Sequence, residues 1–221
     1  MKYHKINSIY KRHTEGSLKG QFKDGRDGAP PEFAQPEFKY LLNNSWRGTE
    51  KIDGTNIRIY WDAGLLDFTY AGRTDNAQIP AFLDTRLQEL VDDIRPYCLE
   101  AFPETSVTFY GEGYGAKIQK VGKNYIPDGV DFILFDIKVD HWWLKRTDVD
   151  SIAKDMGVKS VPIVFEGPLT KAIEYVKEGF SSVETRVNPS PAEGLVLTPI
   201  GDFLDRSGKR IITKIKTCDY R

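Results

Sequence analysis

Residues 50–62 read Glu50-Lys51-Ile52-Asp53-Gly54-Thr55-Asn56-Ile57-Arg58-Ile59-Tyr60-Trp61-Asp62, and they combine a polar loop with a predicted strand. The second half of this stretch alternates apolar and polar residues, which predicts a β-strand directly after the glycine. Lys51 lies between two carboxylate side chains, and Gly54 frees the backbone behind it. A lysine amine in such a loop is a candidate nucleophile. The other parts of a site must then come from elsewhere in the chain.

The composition is that of an ordinary globular protein. Of 221 residues, 40% are hydrophobic and 29% are charged, which allows a substantial core. The net charge of −1 means that nucleic-acid binding would need a local basic patch. Two cysteines and three scattered histidines indicate neither a disulfide framework nor a structural zinc site. Since the sequence shows neither a signal peptide nor a run of roughly 18 to 20 apolar residues, we expect a cytoplasmic protein.

Hydrophobic periodicity predicts a strand-rich chain with a few helices. Residues 57–61 and 66–70 form a predicted hairpin. A helix is expected to begin at Pro80, to place Phe82, Leu83 and Leu87 on one face, and to stop ahead of Pro96. Residues 13–37, rich in Gly, Pro and charge, are predicted as loop and edge structure. The remaining predictions are strands at 107–110, 132–139, 195–198 and 211–216, and helices at 147–156 and 169–177.

Four further short patterns carry chemical interest. Arg73 follows the predicted hairpin, and Glu112 is predicted to end a strand in a glycine-rich turn. Glu193-Gly194 stands at the mouth of an apolar strand. Lys214-Ile215-Lys216 places two ammonium groups on one face of the last strand, which suits a phosphate. Each pattern alone is common in turns or solvated strand edges, so their order and spacing carry the argument.

Taken in order, these patterns resemble the motifs of the covalent nucleotidyltransferase superfamily, and most of all the ATP-dependent RNA ligases of phages and RNA editing. Phe132 follows Glu112 by 20 positions, and Lys214 follows Glu193 by 21. The resemblance covers residues 50–216. It implies an α+β fold, an ATP-grasp-like nucleotidyltransferase (adenylation) domain of antiparallel sheets with flanking helices.

The resemblance also implies a domain organisation. We expect residues 1–221 to form a single nucleotidyltransferase domain with an N-terminal extension at 1–45, and with no OB-fold or helical domain after it. The extension contains a loose basic cluster that either binds phosphates or is a solvated face; its members are Lys5, Lys11, Arg12, Lys19, Lys23 and Arg26.

Site roles follow from the same resemblance. Lys51 is implied to carry AMP, with ATP and Mg²⁺ as cofactors and Mn²⁺ as an alternative metal. An attacking lysine must be neutral, whereas an ordinary lysine has a pKa of about 10.4, so nearby cations must assist it. Arg73 and Glu112 are implied to contact the ribose, and Phe132 is implied to be the adenine platform. The other implied nucleotide-binding residues are Glu50, Lys51, Glu193, Lys214 and Lys216. Glu193 is also implied to hold the metal through water. The implied catalytic residues are Lys51, Asn56, Lys214 and Lys216, and among them Asn56 is implied to act in the steps after lysine adenylation.

The implied function is an ATP-dependent RNA ligase that seals a 5′-phosphate to a 3′-hydroxyl, as in RNA repair. The expected partner is RNA, with DNA as the alternative. The chain is expected to be a monomer that does not associate with a membrane. If a phage encodes it, we expect it in the cytoplasm of the host. An ATP-dependent DNA ligase and a non-catalytic module that binds nucleotides or RNA ends stay open as alternatives. GTP-dependent capping is less favoured because no OB-fold domain follows.

Overall fold

The computed structural model describes residues 2–187 and 189–220, and most of its regular structure lies in two sheets. The elements are, in chain order, β1 Asn7–Ser8, α1 Pro36–Tyr40, β2 Ser45–Glu50, β3 Thr55–Asp62, β4 Asp67–Gly72, α2 Ala81–Ala101, β5 Val107–Gly115, α3 Gly122–Tyr125, β6 Val130–Val139, β7 Trp142–Trp143, α4 Arg146–Asp155, β8 Ile163–Pro168, α5 Leu169–Glu178, β9 Gly194–Pro199, β10 Thr213–Lys216 and a 3₁₀ helix Thr217–Tyr220. The chain divides into two compact units. The first comprises Ile52–Val161 with the described parts of Met1–His4 and Glu184–Asn188, and the second comprises Lys5–Lys51, Pro162–Val183 and the described part of Pro189–Arg221.

The first unit contains an antiparallel sheet in the order β4-β3-β5-β6-β7. The predicted hairpin is confirmed, because β3 pairs with β4 from Ile57 opposite Gly72 to Asp62 opposite Asp67. Ile57, Ile59 and Trp61 are fully buried, as the alternation in the sequence predicts for one face of a strand. The other face of this sheet carries the polar residues of β3, beginning with Asn56.

Helix α2 covers the apolar face of this sheet. Its apolar residues recur every three or four positions and are buried in one cluster with β3, β5 and β6; they are Leu83, Leu87, Leu90, Val91, Ile94 and Cys98. Burial of each large aliphatic side chain contributes about 2 kcal/mol. The predicted helix end is wrong, since α2 passes through Pro96 to Ala101. Pro96 is exposed, so water can hydrate the carbonyl that the ring leaves without a donor. The placement of Phe82 is also wrong, because its side chain is 39% exposed.

Strand β5 is longer than the sequence predicts, and Glu112 lies inside it rather than in a turn. The flanking glycines do not break the strand but allow close packing. A Cβ on Gly111 would collide with the ring of Phe132, and a Cβ on Gly113 would lie 2.7 Å from the side chain of Leu83. Close packing, which the sequence pattern does not reveal, therefore explains both glycines.

The second unit contains a sheet in the order β1-β10-β9-β2-β8. All its pairs are antiparallel except β1 with β10. Helix α5, at the predicted place, buries Leu169, Ala172, Ile173 and Val176 in the core of this unit. Trp46 of β2 is fully buried there and donates its indole N–H to the carbonyl of Leu41, at 2.8 Å.

Residues 13–35 form loops with isolated bridges, as predicted, although the predicted loop range to residue 37 overlaps the start of α1 at Pro36. Phe22 from this segment is buried in the core of the second unit. The two sheets with their flanking helices confirm the α+β class. No helix within residues 2–187 and 189–220 is both long and apolar enough to cross a bilayer.

Candidate functional site

In the second unit, Glu193 bridges two of the predicted lysines. Its Oε2 accepts a hydrogen bond from Lys51 Nζ at 2.6 Å, and its Oε1 lies 2.6 Å from Lys216 Nζ. The side chains of Lys51 and Glu193 are 21% and 15% exposed, so the pair is partly shielded from water and yet accessible to a ligand. The structure thus brings together three residues that lie far apart in the sequence.

Backbone pairing fixes this arrangement. The amide of Lys51 donates to the carbonyl of Gly194 at 2.9 Å, and the amide of Thr217 donates to the carbonyl of Glu193 at 2.9 Å. Gly194 has a φ of +152° and lies opposite Lys216, where a Cβ would collide with the carbonyl of Ile215. Glycine after Glu193 therefore allows β9 and β10 to approach at the point where the acid meets both lysines.

The two other predicted residues of this unit have different surroundings. Glu50 is 1% exposed, and its carboxylate accepts hydrogen bonds from the hydroxyl of Ser182 and from the amide of Val183. Its side chain therefore helps to hold the segment after α5. Lys214 is half-buried on β10, on the same strand face as Lys216, as the alternation predicted.

In the first unit, Asn56 and Glu112 lie directly opposite each other on β3 and β5. The Oδ1 of Asn56 is buried, and no donor reaches it within residues 2–187 and 189–220. A buried acceptor without a partner is costly and rare. It is consistent with a ligand that supplies the missing donor.

Arg73 is exposed in the segment that follows β4. Arg58, which the sequence reasoning missed, supports this segment. It is 6% exposed, and its Nε donates to the carbonyl of Gly72 at 3.1 Å while its terminal nitrogen pairs with Asp75. The signal in the sequence was a cation in the middle of the predicted strand, two residues after Asn56.

Phe132 lies in the cluster under α2 and is 3% exposed. This burial argues against the prediction that its ring offers an open platform. Phe135, on the same strand, packs instead with Ile133 and Tyr114, on the sheet face that carries Glu112. Tyr110 pairs with Asp136 and Gly111 with Leu134, so Phe135 is the extra residue of a β-bulge in β6.

The N-terminal residues of the first unit lie against the same face. Tyr3 donates its hydroxyl to Asp136 Oδ2 at 2.6 Å, and its ring lies 5.1 Å from that of Phe135 and 5.0 Å from that of Tyr110. Tyr3 and Asp136 have no role predicted from the sequence, because their contact joins residues 133 positions apart.

The carboxylate of Glu193 is the oxygen ligand expected for Mg²⁺. Within the described part of the chain, no group of three or more His, Cys, Asp or Glu residues could hold a metal ion. This donor set fits a cation that takes most of its ligands from water and phosphate, as Mg²⁺ does at nucleotide sites. It does not fit a dedicated all-protein metal cage.

Chemically, the bridge offers an amine nucleophile and a second ammonium group on one carboxylate. An anion placed at this point would meet both cations, and the amine could attack an electrophile held there. The asparagine and carboxylate pair of the first unit offers acceptors for hydroxyl groups.

Comparison with known proteins gives one family and one fold. The model of the RNA ligase family matches residues 44–216, which include every predicted site residue. No curated protein matches the chain.

Among solved structures, the chain is similar to an RNA ligase of Naegleria gruberi. With the pyrophosphate-bound form it shares 22% identity and a TM-score of 0.61, over 84% of this chain and 53% of that chain. Two mutants of that ligase solved with ATP and Mn each give a TM-score of 0.62 at 22% identity. They are covered to 52% and 53% of their length, by 84% of this chain. The chain thus spans about half the length of these ligases, and the likeness shows the fold.

Proposed function

The chain belongs to the RNA ligase family, and on that premise we propose that it is an ATP-dependent RNA ligase with Lys51 as its nucleophile. Three steps follow one another in the proposed reaction. Lys51 takes AMP from ATP, AMP passes to a 5′-phosphate end, and a 3′-hydroxyl then displaces AMP and seals the strand. The Naegleria gruberi ligase was solved with ATP and Mn, which supports ATP and a divalent cation as cofactors here.

The observation that carries the proposal is the bridge from Lys51 through Glu193 to Lys216, with both contacts at 2.6 Å. An ordinary surface lysine is solvated by water and does not share an acid with a second lysine. Here Lys51 and Lys216 share Glu193, and Gly194 allows the two strands that carry Glu193 and Lys216 to come close. The arrangement supplies a nucleophile and a group that stabilises phosphate charge in one place.

In the first step, the lone pair of Lys51 Nζ forms a bond to the α-phosphorus of ATP. The bond from that phosphorus to the bridging oxygen of pyrophosphate breaks, and the proton of the amine leaves, with Glu193 Oε2 as the nearest acceptor. Lys216, with Lys214 on the same strand face, stabilises the charge on the departing pyrophosphate. A divalent cation held through Glu193 would add positive charge at the phosphates.

The residues of the first unit are proposed to bind the nucleoside. Glu112 and Arg73 contact the ribose, and the unsatisfied Oδ1 of Asn56 accepts a hydrogen bond from a hydroxyl group during the later steps. Phe135 is proposed as the adenine platform in place of Phe132, because it lies on the sheet face of Glu112. Glu50 acts through its buried carboxylate, which holds the segment at Ser182.

In the second step, an oxygen of the RNA 5′-phosphate attacks the phosphorus of lysyl-AMP, and the bond from nitrogen to phosphorus breaks. In the third step, the 3′-hydroxyl attacks the 5′-phosphate, loses its proton and releases AMP. The single nucleotidyltransferase domain, the monomeric state and the cytoplasmic location stay predictions.

A sealing assay tests the proposal. Nicked duplexes with RNA or DNA on the 3′-hydroxyl side are incubated with ATP and Mg²⁺, and ligation is followed by gel electrophoresis. We expect sealing of the RNA substrate, and none with Lys51→Ala. Preferred sealing of DNA would favour a DNA ligase. Failure to seal any end, including a pre-adenylated one, would favour a binding module and contradict the proposal.

A further inference from the structure

The basic cluster of the N-terminal extension is largely occupied by acids. Lys11 and Lys23 both contact Glu32, and Arg26 pairs with Asp24. Arg12 in turn pairs with Asp219 at 2.7 Å. Four of the six cations in this cluster therefore have carboxylate partners, which makes the cluster a poor docking site for phosphates.

A second group of cations lies in the first unit, between β5 and β6. Lys117, Lys120 and Lys123, which we call the lysine ridge, are all exposed. Within the described residues, no ion pair involves any of the three, whereas Lys159 and Lys171 are both paired with acids. The ridge is thus a concentration of unpaired positive charge on a chain whose net charge is −1.

The fold presents this ridge in a defined conformation. Ile118 is 5% exposed and packs into the core cluster under α2, so it anchors the segment between two outward-pointing side chains. Lys117 and Gln119 have φ values of 66° and 56°, which residues other than glycine rarely adopt. The amide of Ala116 donates to the carbonyl of Gly129 at 2.7 Å. Such local strain is often retained where a segment has a function.

Beside the ridge lies a cavity of about 450 Å³, which we call the Phe82 pocket. Its size falls within the roughly 300–1,000 Å³ range of ligand sites. Phe82 is 39% exposed there, and the ammonium of Lys117 lies 5.9 Å from the centre of its ring. Arg86, Glu89 and Asp128 also line the pocket. Arg86 and Lys117 carry two positive charges and the two acids carry two negative charges, so the formal charge of the pocket is zero. A balanced pocket with an open aromatic face suits an uncharged base, while the ridge suits phosphates.

The segment that carries the ridge contacts Gly54 within the first unit. Gln119 donates its side-chain amide to the carbonyl of Gly54 at 3.1 Å. Gly54 follows Lys51 by three positions. An RNA strand on the ridge would therefore pass beside the residues that follow the nucleophile.

From these observations we infer that the lysine ridge and the Phe82 pocket form a binding site for a single-stranded segment of the RNA substrate. The lysines contact successive phosphates, and one base stacks on Phe82. This inference deepens the proposed function and rests on it. The chemistry of the site, phosphate contacts with one stacked base, is that of single-stranded nucleic-acid binding.

The test measures the affinity for a fluorescent single-stranded RNA with a 5′-phosphate by anisotropy, over a series of salt concentrations. Each lost phosphate contact lowers the slope of log affinity against log salt by about 0.7. We expect the triple variant Lys117→Ala, Lys120→Ala, Lys123→Ala to lose about 2 from this slope. The matched control changes three other exposed lysines to alanine, Lys39, Lys154 and Lys209, and should keep the wild-type slope. Equal losses in both triple variants, or no loss in the ridge variant, would overturn the inference.

The RNA affinity of variants at Phe82 tests the Phe82 pocket separately. Phe82→Ala should weaken RNA binding about tenfold with an unchanged salt slope, since a base contact releases no counterions. Phe82→Trp should retain the affinity, because indole also stacks. Wild-type affinity in Phe82→Ala would contradict the pocket. Formation of lysyl-AMP by the wild-type protein without RNA tests the ligase proposal separately, because no RNA contact takes part in it.

Discussion

Glu193 is the residue on which the proposed chemistry depends most, because its two oxygens hold both Lys51 and Lys216. The change Glu193→Gln keeps the shape of the side chain but removes its charge. It would leave two ammonium groups on one neutral amide, so we expect lysyl-AMP formation to fall about tenfold to a hundredfold. The rate of label transfer from ATP measures this.

Glu166→Gln is the matched control. Glu166 is an acid of the same unit whose side chain is 54% exposed and pairs with Arg47. Exposed pairs contribute little, so this variant should react like the wild type. An equal loss in both variants would show that Glu193 has no special part in the reaction.

The two cysteines should differ sharply in reactivity. Cys98 is fully buried on α2, and burial raises the pKa of its thiol to about 12. Cys218 is exposed. Because the thiolate is the reactive form, iodoacetamide at mildly alkaline pH should modify Cys218 in the native protein and Cys98 only after denaturation. Peptide mass spectrometry distinguishes the sites, and native labelling of Cys98 would contradict the burial of α2.

Of the residues that the sequence predicts for the site, the structure brings Lys51, Glu193 and Lys216 into contact. Lys51, Glu193 and Lys216 could be predicted because their motifs are contiguous and strand alternation orients them. The burial of Phe132 could not be predicted, because it depends on packing under α2 that the sequence pattern does not show. Tyr3 and Arg58 were missed because their roles depend on contacts with distant parts of the chain.

Among the elements, β5 shows how packing overrides a local rule. Gly111 lies inside this strand with the ring of Phe132 where a Cβ would stand. We therefore expect Gly111→Ala to lower the free energy of unfolding by about 1 to 3 kcal/mol, as measured by urea denaturation. Gly129→Ala serves as the control, because a Cβ there meets only Ile126 at 3.6 Å. Equal stability of the two variants would contradict the close packing.

In helix α2 we expect a substitution that raises the free energy of unfolding. Pro96 interrupts the backbone hydrogen bonds of a 21-residue helix at an exposed position. Pro96→Ala should restore one hydrogen bond and remove a steric clash, and so raise the free energy of unfolding by about 2 kcal/mol. The urea midpoint should rise with an unchanged slope. A lower midpoint would mean that the ring contributes contacts that outweigh the lost hydrogen bond.

These elements also mark what periodicity can predict. The β3–β4 hairpin and α5 follow directly from alternation and from helical spacing. The end of α2 and the length of β5 do not, because proline and glycine act there through the surrounding structure rather than through local propensity.

For the whole molecule, charge distribution matters more than total charge. With a net charge of −1, attraction to RNA must come from a local surface. The basic cluster at residues 1–45, which the sequence offered as that surface, has four of its six cations paired with acids. The lysine ridge, which no motif marked, is the alternative that the structure provides.

The central claim is that Lys51 becomes adenylated, and covalent labelling tests it most directly. The protein is incubated with Mg²⁺ and ATP labelled at the α-phosphate, with labelled GTP in parallel, and the modified peptide is mapped by mass spectrometry. We expect AMP on Lys51 from ATP, little label from GTP, and no label in Lys51→Arg, which keeps the charge but cannot act as the amine nucleophile. Label on another residue, or no label on folded wild-type protein, would contradict it.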